Sequence, residues 1–254
     1  MISKSHNSTV GLLFSGGLDS AILLGHLLDS GHQVQPFYIR SNVFWQREEL
    51  SATHTFLQDV ARRSWTHGAD VCQLVELDLP LDDLYGEHWS INGRRTPDAR
   101  TRDEAVFMPA RNALLVIKAA VWCGMNQIDQ LALAPLAANP FPDAGNAFFA
   151  AYETALNHAA SGHEIFTPVQ LLRPFAELDK PKVMQLGRHL PLQLTFSCIR
   201  PRNRLHCGTC NKCAERQKAF AGAGMADPTT YAEQSAGCEI QDARFLDRSP
   251  ITDY

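Results

Sequence analysis

Residues 10–28, VGLLFSGGLDSAILLGHLL, decide the fold. An apolar run from Val10 to Phe14 leads into Ser15-Gly16-Gly17-Leu18-Asp19-Ser20. Apolar residues then recur at helical spacing, at Leu18, Ala21, Ile22, Leu24, Gly25 and Leu28. The pattern predicts a strand, a tight turn and a helix. Two glycines allow positive φ and a close backbone approach to a ligand, while Ser15, Ser20 and the first helical N–H groups aim donors at one small volume. A pyrophosphate fits there. Asp19 is an odd neighbour for phosphates unless a cation lies between them, so it is expected to hold magnesium. No Gly-Lys-Ser/Thr follows, so the turn is not a Walker loop and transfer of a γ-phosphate is not expected.

The string Ser15-Gly16-Gly17-x-Asp19-Ser20 resembles the PP-loop of ATP pyrophosphatases, which cut ATP between its α and β phosphates and form an adenylate. That resemblance implies nucleotide contacts along Phe14, Ser15, Gly16, Gly17, Leu18, Asp19 and Ser20.

The 254 residues are 45% hydrophobic and 20% charged, as in ordinary globular proteins. A net charge of −4 argues against a broad contact with nucleic-acid phosphates, and no direct nucleic-acid partner is expected. No stretch approaches about 18 apolar residues and MISKSHNS has no apolar core, so neither a membrane span nor a signal peptide is expected, and cytoplasm is the default.

Downstream, strands are predicted over 33–39, 71–77, 128–134 and 164–168, and helices over 45–61, from 111 to about 123, 146–160 and from Asp179 to about 190. The alternation implies an open parallel sheet with helices on both faces, an α/β fold. Arg40, Ser41 and Asn42, after the second strand, are expected near the phosphate turn. Arg47-Glu48-Glu49 reads as a solvated face. Residues 80–103 form a long irregular loop whose Tyr85, His88 and Trp89 suit a binding lid. Arg111 and Asn112 open a helix, where a cation opposes the helix dipole and asks for an anionic partner. Asn139, Phe141 and Asp143, in a proline-rich loop after the fourth strand, are candidates for substrate recognition.

Cys198, Cys207, Cys210 and Cys213 follow the spacing C-x8-C-x2-C-x2-C. Four thiolates close a tetrahedral shell, so a structural metal is expected. Zinc is the expected ion and an iron–sulfur cluster the alternative. It would staple an irregular tail, 197–220, to the sheet, with Gly208 relaxing the backbone and Arg200, Arg202, Arg204 and Arg216 making a local positive patch. Two units follow: a nucleotide-binding domain over 1–190 and a zinc-binding region over 191–254.

Taken together, SGGLDS at 15–20, FMPARN at 107–112, NPFPDA at 139–144, Lys180 in LDKPKV, and TFSC followed by CGTCNKCAERQKAF resemble the 7-cyano-7-deazaguanine synthase family, which includes QueC and ExsB-type proteins. The resemblance covers roughly residues 8–230. It implies an adenine nucleotide α-hydrolase-like fold. The implied activity is a ligase turning 7-carboxy-7-deazaguanine, ammonia and ATP into the nitrile, a queuosine precursor. Ser15, Asp19, Ser20, Arg111 and Lys180 would be catalytic, Asn112 would join the nucleotide contacts, and a homodimer is possible. Two stretches depart from the family pattern: the family's Tyr-x-Gln-Arg-His-like run is met by Tyr38 to Arg47 with an apparent insertion and no histidine near Gln46-Arg47, and Asp-x-Ser-Gly-Tyr-Pro-Asp-Cys-Arg is replaced by residues 138–145. The alternative is therefore a PP-loop ATP pyrophosphatase that activates a different carboxylate or a tRNA base. A thiolase would want cysteines beside the nucleotide, whereas Cys72 and Cys123 sit in apolar runs. A binding module without chemistry is opposed by the intact turn.

Overall fold

The computed structural model describes residues 8–233; residues 1–7, and the part 234–254 of the zinc-binding region expected over 191–254, lie outside the described residues. In chain order the elements are β1 (Thr9–Leu13), α1 (Leu18–Asp29), β2 (Gln33–Arg40), α2 (Gln46–Val60), β3 (Val75–Asp78), α3 (Asp82–Tyr85), α4 (Trp89–Asn92), α5 (Arg111–Met125), β4 (Gln130–Ala132), α6 (Asn146–Ala159), β5 (Gln170–Leu172), α7 (Lys180–Leu186) and α8 (Asn211–Gly222).

The five strands form one parallel sheet in the order β3-β2-β1-β4-β5. From β1 the chain first winds one way, to β2 and β3, and later returns on the other side of β1 with β4 and β5. The carboxyl ends of β1 and β4 therefore flank a topological switch point, where open α/β sheets bind ligands. One face is covered by α1, α2, α7 and α8, through Ile22, Leu24, Phe56, Val183 and Phe220 among others. The other is covered by α5 and α6, through Val116, Ala120, Phe149 and Leu156. The predicted α/β architecture with helices on both faces is the one found. Among the described residues no helix is long and apolar enough to cross a membrane.

α1 is buried almost all round because it lies between the sheet and α7, which explains its near-continuous apolar sequence. A third apolar cluster sits above the carboxyl edge of the sheet. It joins Val43 and Trp45, Val106 and Met108, Phe196 and Ile199 to the four cysteines. No sequence period announces it, because its contributors come from several short stretches far apart in the chain.

Several expectations are corrected. The third strand begins at Val75, and Val71 makes only an isolated bridge to Val34. No strand forms at 164–168; the short edge strand is β5, at Gln170–Leu172. The predicted helix at 179–190 ends at Leu186, with Asp179 as its N-cap accepting from Lys182 N–H at 2.9 Å. The stretch 80–103, expected to be irregular, contains two short helices, α3 and α4. The tail 197–220 is not irregular, since α8 occupies its second half.

Candidate functional site

The turn expected to hold phosphates runs from the end of β1 to the start of α1. Gly16 has φ +71 and Gly17 has φ −77 and ψ 172, so only Gly16 needs the left-handed region that glycine supplies. A Cβ on Gly16 would collide with Thr53 Oγ1 and lie 3.3 Å from the Glu49 carbonyl, so α2 presses against the turn. Ser15 Oγ and Ser20 Oγ lie 3.2 Å apart, and Ser20 Oγ donates to the Gly17 carbonyl at 3.2 Å. The first N–H groups of α1 open toward the same cleft, with the positive end of the helix dipole behind them.

That cleft has a volume of 370 Å³ and is lined by the turn, Arg111, Asn112, Lys180, Lys212, Glu215, Arg216 and a set of aromatic rings. Every turn residue named from the sequence except Gly16 borders it directly. Lys180, 161 residues from Asp19, places Nζ 2.8 Å from both Asp19 carboxylate oxygens and 3.4 Å from Glu215 Oε1. Burial pulls the Lys180 ammonium down, but Asp19 and Glu215 outweigh it and leave its pKa above the ordinary lysine value. Lys212 closes the network with a 2.6 Å bond to Glu215.

Arg111 and Asn112 occupy the first turn of α5, as expected. Among the described residues the buried Arg111 Nε has no hydrogen-bond partner. Asn112 is committed to a neighbour: its backbone N–H donates to Asp143 Oδ2 at 3.0 Å and its Nδ2 to the Asp143 carbonyl at 3.1 Å. Asp143, buried, thus serves as a remote cap for α5 and ties the 135–145 loop to it. Phe141 from that loop stacks on Phe107 at 5.3 Å and both line the cleft.

Of the lid residues, Trp89 borders the cleft and stacks on Trp45 with ring centres 5.8 Å apart. Tyr85 and His88 do not border it. Tyr85 Oη donates to the Pro109 carbonyl at 2.8 Å, and the His88 side chain caps α4.

Two expectations about charges fail. Arg40 does not reach the phosphate turn, being held by Asp78 at 2.7 Å and by Glu76. The Arg47-Glu48-Glu49 run is not simply a solvated face. Glu49 turns inward to the cleft, its Oε2 accepting from Tyr38 Oη at 2.7 Å and its Oε1 from Trp45 Nε1 at 3.3 Å. Burial pushes its carboxyl above the usual range, against the opposing pull of Arg111, Tyr38 and Trp45. Helical spacing from Trp45 to Glu49, four apart, was the only sequence signal for this.

The four cysteine sulfurs lie within 4.8 Å of one another, and all four residues are buried. Cys198 and Cys210, and likewise Cys207 and Cys213, have their sulfurs 3.8 Å apart. A tetrahedron with metal–sulfur bonds of about 2.3 Å has edges of about 3.8 Å, so the sulfur arrangement fits one ion. Backbone N–H groups of Arg200, Cys207, Thr209 and Cys210 point at these sulfurs at 3.2–3.4 Å, the usual support for thiolates. Gly208, at φ +87, is required here, since a Cβ would collide with the Glu233 carbonyl. The expected positive patch loses one member: Arg216 is buried, donating to Thr195 Oγ1, Ser197 Oγ, Thr229 Oγ1 and the Leu192 carbonyl.

A family model described as "Queuosine biosynthesis protein QueC" matches residues 9–224. The chain belongs to the QueC family. Among curated relatives of this QueC-family chain, the 7-cyano-7-deazaguanine synthase of Desulfatibacillum aliphaticivorans is 31% identical over 230 residues, covering 87% of this chain and 95% of the relative. The 7-cyano-7-deazaguanine synthase 1 of Desulfitobacterium hafniense (strain Y51) is 31% identical over 214 residues, covering 82% and 90%. Among solved structures, the U34-tRNA thiolase NcsA of Methanococcus maripaludis superposes with a TM-score of 0.42 at 13% identity, covering 86% of this chain and 68% of that one. In this QueC-family chain Cys123 packs where a Cβ on Gly11 of β1 would meet its sulfur at 2.7 Å, and burial pushes its thiol up to about 12, so it is a core residue.

Proposed function

We propose that this chain is an ATP-dependent ligase that adenylates the carboxylate of 7-carboxy-7-deazaguanine and converts it with ammonia to 7-cyano-7-deazaguanine. The observation that carries the reading is the cleft itself. Its lining brings the turn and the Lys180–Asp19 pair together with the aromatic rings of Trp45, Trp89, Phe107 and Phe141, flat apolar surfaces that suit a planar base. The names of the curated relatives point to the same product.

In the first step a carboxylate oxygen of the substrate attacks the α-phosphorus of ATP, and the bond to the β-phosphate oxygen breaks. The departing pyrophosphate carries new negative charge. Leu18, Asp19 and Ser20 offer backbone N–H groups to it, and Lys180 and Arg111 offer fixed positive charge, which is electrostatic stabilisation where charge develops. Ammonia then attacks the acyl carbon, AMP leaves and a proton is lost, giving the amide. A second adenylation, on the amide oxygen, lets AMP leave with loss of a further proton and yields the nitrile. No side-chain nucleophile is needed.

Asp19, on the cleft wall with its carboxylate partly exposed, is the residue that would hold magnesium, which when bound screens the phosphate charges. Cys198, Cys207, Cys210 and Cys213 would hold zinc in a closed shell whose role is structural, since four protein ligands leave no open position.

The test is incubation of the purified protein with ATP, magnesium, ammonium and 7-carboxy-7-deazaguanine. The expected products are AMP, pyrophosphate and the nitrile. ADP and phosphate would overturn the reading of the turn, and AMP formation indifferent to the deazaguanine acid would overturn the substrate.

A further inference from the structure

Glu49 sits in the first turn of α2, and both of its carboxylate oxygens are already oriented by aromatic donors. Tyr38 and Trp45, which supply them, are 2% and 5% exposed and so hold the carboxylate in a fixed direction. A carboxylate has about four acceptor positions, and these two bonds use one on each oxygen. Arg111 faces the group without an ion pair within 4.0 Å among the described residues, so the negative charge on the cleft wall is not neutralised at contact distance. Trp45 and Trp89, stacked with their planes 16° from parallel, and Phe141 stacked with Phe107 line the same cleft as flat apolar surfaces. A pair of parallel acceptors next to flat apolar walls suits a planar heterocycle that presents two adjacent N–H donors.

We infer that Glu49 is the specificity-determining residue of this cleft, its carboxylate receiving the ring N–H and adjacent amino group on the pyrimidine side of a 2-amino-4-oxo base. A guanine-type edge offers two donors to the two oxygens. An adenine-type edge places a ring nitrogen lone pair against the carboxylate and is repelled. The inference rests on the reading of the cleft as the deazaguanine site, and it adds the residue that tells one base edge from another. It also explains why Glu49 is turned inward from a run that is otherwise half solvent-facing.

The test measures binding without turnover, by tryptophan fluorescence and calorimetry on the full chain. Ligands are 7-carboxy-7-deazaguanine, its analogue lacking the 2-amino group, and ATP. The wild-type protein is expected to favour the amino compound by about tenfold or more, the worth of a charge-assisted hydrogen bond. Glu49→Gln is expected to bring that preference close to one and leave the ATP Kd within about twofold, with Glu49→Asp recovering part of the preference. An unchanged preference in Glu49→Gln, or an equal loss of ATP affinity, overturns the inference; so does a wild-type protein indifferent to the 2-amino group, which needs no variant to fold. A preference that depends on Glu49 without formation of AMP would instead fault the ligase reading and leave the base edge assigned.

Discussion

The Phe196 N–H donates to the Gly16 carbonyl at 2.8 Å, and two residues further along the chain Cys198 is one of the four clustered sulfurs. The cysteine module thus holds the phosphate turn from above. Arg216 reinforces the connection from α8, bracketing Phe196 with bonds to Thr195 Oγ1 at 2.8 Å and Ser197 Oγ at 3.3 Å. The same helix carries Lys212 and Glu215 into the cleft.

Metal removal should therefore be felt at the turn. Cys198→Ser, or treatment with a strong chelator, is expected to lower bound metal and to weaken pyrophosphate binding by about tenfold or more, with solubility falling as the module loosens. Metal analysis alongside calorimetric titration with pyrophosphate checks it. Unchanged pyrophosphate affinity in metal-free protein would show that the turn stands without its support.

Asp19→Ala removes the partner that holds Lys180 Nζ at 2.8 Å. Turnover to AMP is expected to fall by about 100-fold or more, the scale for losing one electrostatic group in a reaction of this kind. Metal content should stay at the wild-type level, since Asp19 is remote from the cysteines in the chain and bonds none of them. A matching loss of metal would undo the division of labour between the two clusters.

Gly16→Ala places a methyl group against Thr53 Oγ1 at a φ of +71. The variant is expected to lose stability and adenylation together. Adding Thr53→Ala should relieve the collision but leave about 1–2 kcal/mol from the left-handed backbone, so the double variant recovers only in part. Urea denaturation of the three proteins separates the two contributions.

The Glu49 carboxyl is held above the usual range, because burial disfavours its anion more than Arg111, Tyr38 and Trp45 favour it. The anion is then a net cost to the folded state at neutral pH, and that cost fades as pH falls through the raised value toward the ordinary one. Glu49→Gln should accordingly be more stable than wild type at pH 7, with the difference shrinking as pH falls toward the ordinary glutamate range. Thermal melts across that range check it; a gain that persists at the acid end would mean that charge is not its cause.

Much of the fold was legible in the sequence because it is local. The apolar run before Ser15 and the helical spacing after it define β1, the turn and α1, and the four cysteines sit close enough in the chain for their spacing to point to a shared metal-binding cluster. The short edge strand β5 was misplaced because three residues, Gln170 to Leu172, carry no period of their own and become a strand only by pairing with β4. Glu49 was misread for a related reason: nothing in Arg47-Glu48-Glu49 distinguishes the inward carboxylate from its solvent-facing neighbours until Tyr38, on β2, offers its hydroxyl.

By itself, then, the sequence determined the α/β class, the tight turn at 15–20, the sulfur cluster and the family, since each is written in residues close together along the chain. Only the tertiary structure decided that Lys180 meets Asp19 across 161 positions, that Phe196 ties the cysteine module to Gly16, and that Arg40 faces Asp78 while Glu49 faces the cleft. Those outcomes depend on how a parallel sheet stacks distant crossovers over one edge, and charge and hydrogen bonding act through space rather than along the chain.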